Sequence, residues 1–335
     1  MNSPNHARRI VVLGGGAWGT ALALVAARAG NEACLWARDR VVVDAINGLR
    51  SNPMYLPDVT WSERIVAMTD PAIVASADIV IASVPAQSMR GVLVDMQPFI
   101  RPGTPIVSAA KGLERGTRAT MSRVIAEVVP QSPAGALSGP SFASDVARGL
   151  PTALTIAAYD PELADDLAQS LASASFRPYA STDVVGVELG GALKNVIAIA
   201  AGIVAGARLG ASAQAALTAR GFAELSRLGL RLGANPSTLM GLSGLGDLVL
   251  STGSTQSRNF SLGHAIGEGG DVTSLTGRGS KLAEGAFTAS VAIELGRSAE
   301  MELPIAEAVS EVLAGVLAVD EAVERLMTRP LRSES

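Results

Sequence analysis

The sequence is poor in the residues that most often carry metal and covalent chemistry. Its 335 residues include one cysteine, Cys34, and two histidines, His6 and His264. A lone cysteine cannot form a disulfide or a cysteine zinc site within one chain, and two separate histidines do not favour a catalytic zinc, so no metal is expected. Such sparse cysteine usage fits a reducing cytoplasm.

Aromatic residues and runs of basic residues are also scarce. Aromatics make up 4% of the chain, and 27 Lys and Arg against 31 Asp and Glu give a net charge of −4. We therefore expect no nucleic-acid partner. The longest apolar run, 189–207, is mostly Ala and Gly and carries Lys194 and Asn195, so we expect no stable membrane insertion.

What the chain does contain is an alternation of strand and helix patterns over residues 1–181. The apolar run Arg9–Leu13 is followed by Gly14, Gly16 and Gly19 in the spacing G-x-G-x-x-G, and then by an alanine-rich helical stretch, 20–29. The glycines permit a tight turn, close approach of the backbone to a pyrophosphate, and close packing of helix on strand. This context predicts a Rossmann-like, doubly wound sheet that binds a dinucleotide.

The end of the second predicted strand, 33–37, bears on the choice of dinucleotide. An acidic residue there would bond the ribose 2′-hydroxyl of NAD, whereas an arginine accommodates the 2′-phosphate of NADP. The strand is followed by Arg38 and then Asp39. Arg38 favours NADP, and Asp39 has the alternative role of capping the next helix.

Later strands of this half lead into polar residues. Strands predicted at 104–110 and 135–137 precede Lys111 and the pair Gly139 and Ser141. Ligands of doubly wound sheets bind beyond the carboxyl ends of the strands, so these three residues are site candidates. The alternatives are a simple turn at Gly139 and a helix cap at Ser141. The other predicted strands are 64–68, 78–84, 152–157 and 176–179, with helices that include 86–99 and 161–171.

Residues 182–335 show helical periodicity and almost no β-branched runs, which predicts an all-helical second domain and an α/β plus all-α chain. Its first helix surrounds Lys194 with apolar residues. Because a buried unpaired ammonium is costly, Lys194 either reaches the surface along its methylene stem or meets a ligand or partner charge. It is the best candidate for a proton carrier, with a pKa lowered by burial and by Lys111 or Arg258. Further helices are predicted at 212–232, 236–240, 245–250, 259–267, 282–299 and 304–325.

Two polar segments of the second domain suit an anionic substrate. Ser257, Arg258 and Asn259 combine a guanidinium with hydrogen-bonding side chains where a helix is predicted to begin, and both features favour phosphate. Asp247 is the single acid between 241 and 257 and could orient Lys194 or a substrate hydroxyl. Alternatively, Arg258 is a solvated surface residue, and Ser257, Asn259 and Asp247 act at helix ends.

A set of short motifs along the chain matches the pattern of one known family. The motifs are the segments 14–21, 35–36, 110–114, 137–143, 149–152, 190–198, 244–248, 257–259 and 284–285. Jointly they resemble the NAD(P)-dependent sn-glycerol-3-phosphate dehydrogenases of bacterial type, over about residues 9–318. The resemblance implies a Rossmann domain and a helical domain with the central helix buried between them. It also implies reversible reduction of dihydroxyacetone phosphate to sn-glycerol 3-phosphate, a precursor of glycerophospholipids, by a cytoplasmic homodimer that uses NADPH or NADH.

The resemblance further assigns roles to single residues. It makes Lys194 the general acid or base, and Asp247, which could orient Lys194, completes the predicted catalytic set. The implied substrate-binding residues are Lys111, Gly139, Ser141, Lys194, Asp247, Ser257, Arg258 and Asn259. The implied cofactor-binding residues are Trp18, Arg38, Lys111, Ala143, Arg258, Leu282 and Glu284, to which the glycine-rich turn adds Gly14, Gly16, Ala17 and Gly19.

The chain departs from the family pattern at a few positions, and two other functions stay open. Ser251, Ser144 and Ser212 stand where the family usually has Thr, Lys and Asn. A β-hydroxyacid dehydrogenase would share the two-domain layout and a catalytic lysine but would act on a carboxylate. A cofactor-sensing regulator would bind NADPH, need no Lys194, and present a surface to a partner.

Overall fold

The structure, a computed structural model, describes residues 7–276 and 283–330. Ten strands occur in these ranges: β1 (Arg9–Leu13), β2 (Glu32–Trp36), β3 (Ser51–Asn52), β4 (Leu56–Thr60), β5 (Ile65–Met68), β6 (Ile79–Ala82), β7 (Ile106–Ser108), β8 (Ala134–Ser138), β9 (Thr152–Ala158) and β10 (Phe176–Ser181). Eight of them form one sheet in the order β10-β9-β8-β7-β6-β1-β2-β5, while β3 and β4 pair separately as a hairpin.

The large sheet is mostly parallel. The six neighbouring strands from β8 to β5 run in one direction. Strand β9 is antiparallel to β8, with Ile156 opposite Leu137, and β10 is parallel to β9. The order of the parallel strands is that of a dinucleotide-binding sheet, which confirms the Rossmann-like prediction. The carboxyl ends of β1, β2, β6, β7 and β8 therefore meet at one edge.

Both faces of this sheet are covered, as expected of parallel strands. Val12 of β1 packs on one face with Leu24, and Val11 packs on the other with Met89. The helices of this part are α1 (Ala17–Arg28), α2 (Arg40–Leu49), α3 (Ala86–Met96), α4 (Met121–Val128), α5 (Ala143–Ala147) and α6 (Pro161–Leu171). Asp39 caps α2 by accepting a hydrogen bond from Val41 N at 2.9 Å, which is the alternative role considered for it.

Beyond β10, every regular element in the described residues is helical, which confirms the prediction for the second half. The helices are α7 (Val184–Gly206), α8 (Ala211–Arg231), α9 (Pro236–Leu239), α10 (Asp247–Thr252), α11 (Arg258–Gly267), α12 (Val272–Thr276), α13 (Glu284–Ser298), α14 (Pro304–Leu313) and α15 (Val319–Met327). Helix α7 is long and apolar enough to cross a membrane, but 94% of its most apolar window is buried inside the protein.

Two details differ from the sequence-based expectations. A single helix over 304–325 is wrong, because the chain turns at Gly315 between α14 and α15. Gly315 has φ of 69°, in the left-handed region that glycine adopts at little cost. The β3–β4 hairpin was not predicted, since a strand of two residues is too short to show alternation.

Candidate active site

Helix α7 can approach two loops closely because it carries two adjacent glycines. A Cβ atom on Gly190 would lie 2.9 Å from the carbonyl oxygen of Ser243, and one on Gly191 would collide with Ser138 Oγ. The end of β8 and the turn before α10 thus both reach the helix backbone, one turn upstream of Lys194. This packing brings residues from both halves of the chain to one place.

A cluster of charged side chains lies at this junction. Lys194 Nζ donates to Asp247 Oδ1 at 3.0 Å and to Ser251 Oγ at 2.6 Å. Lys111 Nζ donates to the other carboxylate oxygen of Asp247 at 2.7 Å and to the carbonyl oxygen of Gly139 at 2.9 Å. Two ammonium groups therefore share one carboxylate, which leaves one net positive charge for an anionic ligand.

Burial sets the protonation behaviour of this cluster. Lys194 is 6% exposed and Asp247 is 1% exposed. Desolvation lowers the pKa of Lys194 to about 8; Asp247 opposes this change, and Lys111 adds to it. Burial alone would raise the pKa of Asp247, but Lys111 and Lys194 outweigh burial and hold it below its ordinary value. At neutral pH the carboxylate is ionised, and Lys194 is close to releasing its proton.

The position of Asp247 depends on an uncommon backbone element. Residues Leu242–Gly246 form a π-helical turn, and Asp247 opens α10 directly after it. A Cβ on Gly244 would collide with the carbonyl oxygen of Leu239, so this tight turn needs a glycine there. Short π-helical segments occur frequently at functional sites. The turn presents Asp247 and Ser251, one helical turn apart, to the same lysine.

The predicted substrate segment is held beside the cluster by close helix packing. Cβ atoms on Gly202 and Gly206 of α7 would collide with backbone carbonyls of α11, and those on Gly263 and Gly267 of α11 would collide with carbonyls of α7. The two helices therefore cross with their backbones in contact. This crossing fixes the N-terminal end of α11, and with it residues 257–259, relative to Lys194.

Hydrogen bonds complete this arrangement. Ser257 caps α11, accepting from Phe260 N at 3.3 Å, while Asn259 Oδ1 accepts from Gly285 N at 3.0 Å. Asn195 donates from Nδ2 to the carbonyl oxygen of Lys111 at 2.9 Å. Arg258 is exposed at the start of α11. Ser257 thus has the capping role considered as an alternative.

The glycine-rich turn fits a dinucleotide pyrophosphate. Gly14 has φ of 119°, and a Cβ there would lie 2.6 Å from the carbonyl oxygen of Ser83. A Cβ on Gly19 would collide with Gly14 O, whereas the space beside Gly16 is open. Gly16 is the N-cap residue of α1, and no side chain caps this helix or places an acid in its first turn. Such a free helix N-terminus next to an open glycine is suited to bind a phosphate.

The remaining predicted cofactor residues lie around the same edge of the sheet. Trp18 is in the first turn of α1, Arg38 is exposed just after β2, and Ala143 opens α5. Glu284 Oε1 accepts from Ala86 N at 3.0 Å, so it spans from the helical half to the start of α3. Leu282 lies outside the described residues. Ser141 donates to Gly139 O at 2.9 Å and does not cap a helix.

Two residues that bond to this cluster were not predicted from the sequence as site residues. Ser251 was noted only as a departure from a family pattern, and Asn195 only as a neighbour of Lys194. The separation of four residues between Asp247 and Ser251 was an available signal, because residues i and i+4 share one face of a helix. The contact between Asn195 and Lys111 joins distant segments and left no local signal.

Comparison with known proteins decides the family. Residues 9–164 match the model of the NAD-dependent glycerol-3-phosphate dehydrogenase N-terminus, and residues 183–324 match that of its C-terminus. The chain belongs to the NAD-dependent glycerol-3-phosphate dehydrogenase family. Membership of the glycerol-3-phosphate dehydrogenase family confirms the resemblance that the sequence motifs indicated.

Individual relatives agree over nearly the whole length. A glycerol-3-phosphate dehydrogenase [NAD(P)+] from a Bradyrhizobium species is 54% identical over 97% of this chain and 98% of its own length. The enzyme of that name from Parvibaculum lavamentivorans is 51% identical, with 98% of each chain covered. The crystal structure of glycerol-3-phosphate dehydrogenase from Coxiella burnetii superposes with a TM-score of 0.91 at 37% identity and covers 96% of this chain and 99% of its own.

Proposed function

We propose that this member of the glycerol-3-phosphate dehydrogenase family reversibly reduces dihydroxyacetone phosphate to sn-glycerol 3-phosphate with NADPH or NADH. The observation that carries the proposal is the Lys194, Asp247 and Lys111 cluster, which lies at the carboxyl edge of a dinucleotide-binding sheet. Related enzymes named for this substrate match over nearly the full chain. The product would supply the backbone of glycerophospholipids.

Lys194 acts as the proton carrier in this proposal. Bound NAD(P)H supplies a hydride to the ketone carbon, so the protein must supply the proton that completes the hydroxyl group. The Lys194 ammonium, with a pKa near 8, can donate this proton in reduction and accept it in oxidation. Asp247 orients the ammonium through Oδ1 and raises its pKa, which keeps most of the amine protonated at neutral pH.

In this proposal the phosphate group of the substrate binds next to the cationic side chains of the site. Lys111 and Arg258 provide cations, and Ser257 and Asn259 lie at the N-terminus of α11, where unpaired backbone N–H groups favour an anion. The carbonyl oxygen of Gly139, just after β8, accepts from Lys111 Nζ and from Ser141 Oγ, so both residues lie close to one of these cations. A dianionic phosphate suits this set better than a carboxylate, which argues against the β-hydroxyacid alternative.

The cofactor would lie along the carboxyl edge of the parallel strands. Gly14, Gly16 and Gly19 would accommodate its pyrophosphate at the N-terminus of α1, together with Ala17 and Trp18. Arg38, exposed after β2, is available for the 2′-phosphate, so NADPH is the favoured form. The other cofactor contacts are assigned to Lys111, Ala143, Arg258, Leu282 and Glu284.

We also propose that the enzyme is a cytoplasmic homodimer with domains at 1–181 and 182–335. Strand β10 ends at Ser181 and α7 begins at Val184, which supports this boundary. The dimer rests on the motif resemblance, and light scattering with a calibrated column would test it. A monomer at micromolar concentration would contradict it.

The central experiment follows NADPH and NADH absorbance after addition of dihydroxyacetone phosphate, with glyoxylate and tartronate semialdehyde as controls. We expect oxidation only with the phosphate ester. Lys194→Ala should lower turnover by about 10² to 10⁴ while NADPH still binds. Turnover of the carboxylates would favour the hydroxyacid alternative, and NADPH binding without any turnover would favour the sensor.

A further inference from the structure

The β3–β4 hairpin lies between α2 and β5, and it brings a buried amide to the glycine-rich turn. Asn52 is fully buried, with 0% exposure. Its Nδ2 donates to the carbonyl oxygen of Gly15 at 2.9 Å and to Thr20 Oγ1 at 2.8 Å. One side chain thus joins the middle of the turn to the second turn of α1.

The orientation of this amide follows from its partners. The carbonyl oxygen of Gly15 can only accept a hydrogen bond, so the atom that faces it must be the nitrogen of Asn52. With this orientation, Asn52 Oδ1 is buried and finds no partner among the described residues. An unpaired buried acceptor is unfavourable. Since Oδ1 contributes no hydrogen bond there, the two bonds that Nδ2 donates are the interactions that favour an amide at this position.

The hairpin geometry directs Asn52 inward. The pairing register of β3 and β4 shifts between Ser51 and Asn52, and such irregularities re-aim a side chain. The backbone is secured by Asn52 O, which accepts from Tyr55 N at 3.1 Å. The side chain is thus presented by a small ordered element, which limits how far the Gly15 carbonyl can turn.

Holding one carbonyl fixes the direction of the next N–H group. The peptide between Gly15 and Gly16 is planar and trans, so its C=O and N–H point in opposite directions. Because the Gly15 carbonyl points to Asn52, the N–H of Gly16 points away from it. On the opposite flank, Gly14 N donates to Trp36 O at 2.8 Å and secures the start of the turn.

We propose that Asn52 is a positioning residue for the cofactor, which it never touches. By orienting the Gly15–Gly16 peptide, it prepares the N-terminus of α1 to bind the pyrophosphate. Any dinucleotide uses this pyrophosphate, so the residue acts equally on NADPH and NADH and has no part in substrate binding. The proposal rests on the proposed function only for the identity of the dinucleotide.

The test measures affinity by isothermal titration calorimetry, independently of activity. Asn52→Asp keeps the shape and removes both donors, and Asn52→Ala removes the side chain. We expect the Kd for NADPH, NADH and ADP-ribose to rise by about tenfold each, because the Gly15–Gly16 peptide would then have to be ordered when the dinucleotide binds. The KM for dihydroxyacetone phosphate at saturating NADPH should stay within about twofold of the wild type, since Lys194 and Asp247 are unaffected.

Asn47 supplies a control. It is an exposed residue whose amide also makes two hydrogen bonds in this half, donating to Ala67 O and accepting from Ala67 N, both at 2.9 Å, but these join α2 to β5 away from the turn. Asn47→Ala should lower the melting temperature and leave the Kd for NADPH unchanged. If the Asn52 variants fail to fold, Thr20→Val removes one of the two acceptors and should give a smaller loss of affinity.

Three outcomes would overturn the inference. These are an unchanged Kd in folded Asn52 variants, an equal rise in Asn47→Ala, and losses that differ between NADPH and NADH. A wild-type protein that binds no dinucleotide would instead contradict the proposed function, so the two failures are distinguishable.

Discussion

Lys194 Nζ lies 3.0 Å from Asp247 Oδ1, while the second oxygen of the same carboxylate receives Lys111 Nζ at 2.7 Å. The negative charge of Asp247 allows the ammonium groups of Lys194 and Lys111 to lie close together in the protein interior. Without it, repulsion between the two lysines would favour loss of a proton from Lys194, which already has the lower pKa of a desolvated amine. The pKa of Lys194 thus depends first on burial, which lowers it, and then on Asp247, a residue from a different helix that opposes this change.

The pH dependence of turnover should report this arrangement. Reduction needs the protonated amine, so kcat/KM should fall as the pH rises through about 8, and oxidation should rise over the same range. Asp247→Asn removes the anion that raises the pKa of Lys194, so both transitions should move to lower pH. Initial rates in both directions between about pH 6 and pH 10 would measure this. Profiles that are flat near pH 8, or unmoved in Asp247→Asn, would contradict it.

Arg38 should determine the preference between the two coenzymes. Arg38→Ala removes the guanidinium proposed to bind the 2′-phosphate, so the KM for NADPH should rise by about 10- to 100-fold, as for a lost charge-assisted bond, while that for NADH changes little. Arg177→Ala is the control, because this exposed arginine lies on β10 at the far end of the sheet from β2. Equal losses for the two coenzymes would argue against the assignment.

The crossing of α7 and α11 should be sensitive to a single methyl group. Gly202→Ala would place its Cβ against the carbonyl oxygen of Phe260. We expect a loss of about 1–3 kcal/mol in the free energy of unfolding, the usual cost of overpacking. Because α11 begins at Arg258, the displaced helix should also raise the KM for dihydroxyacetone phosphate.

Gly91→Ala tests whether this effect is specific. Gly91 lies within α3, and no atom would come within 4 Å of an added Cβ. Here alanine should stabilise the protein by about 0.5–1 kcal/mol, because it is the better helix former. Urea unfolding of both variants gives the comparison. If Gly202→Ala were as stable as Gly91→Ala, the proposed tight crossing would be wrong.

Much of this structure could be predicted from local signals, and the reasons are physical. The glycine spacing and the apolar run before it predicted β1, the turn and α1, since backbone conformation there depends on neighbouring residues. Lys194 was identified because a charge inside an apolar helix needs a partner. Its partner could also be proposed, since Asp247 is the single acid of its segment.

Features that depend on contacts between distant segments could not be predicted. The bond from Asn195 to Lys111 and the bond from Asn52 to Gly15 each join parts of the chain that only the fold brings together. The two-residue strand that presents Asn52 has no periodicity to detect. The sharing of Asp247 between two lysines likewise depends on the meeting of β7 with α7, for which no local pattern exists.

A buried glutamate in α7 should make stability depend on pH. Glu188 accepts from Ser122 N at 2.7 Å and from Ser122 Oγ at 2.5 Å, at the start of α4. Burial raises its pKa to about 7, although the bonds from Ser122 oppose the change. Burial likewise raises the pKa of Glu224, which lies in α8 and accepts from Ile305 N at the start of α14, to about 7.

The sign of the effect follows from proton uptake. Below the ordinary value of 4.5 both folded and unfolded chains hold the proton, but between 4.5 and about 7 the folded chain binds more protons. The free energy of unfolding should therefore fall as the pH rises through this window. Glu188→Gln mimics the neutral acid at every pH. The melting temperature of this variant minus that of the wild type should therefore be more positive at about pH 8 than at about pH 5.5.

Glu127→Gln is the control that tests whether burial causes the pH-dependent stability change of Glu188→Gln. Glu127 is exposed and pairs with Arg90 at 2.7 Å, which holds its pKa below the ordinary value. Both test conditions lie above that pKa, so this substitution should change the melting temperature by a similar amount at the two pH values. A Glu188→Gln variant that behaves in the same way would mean that Glu188 stays ionised throughout, because the bonds from Ser122 outweigh desolvation.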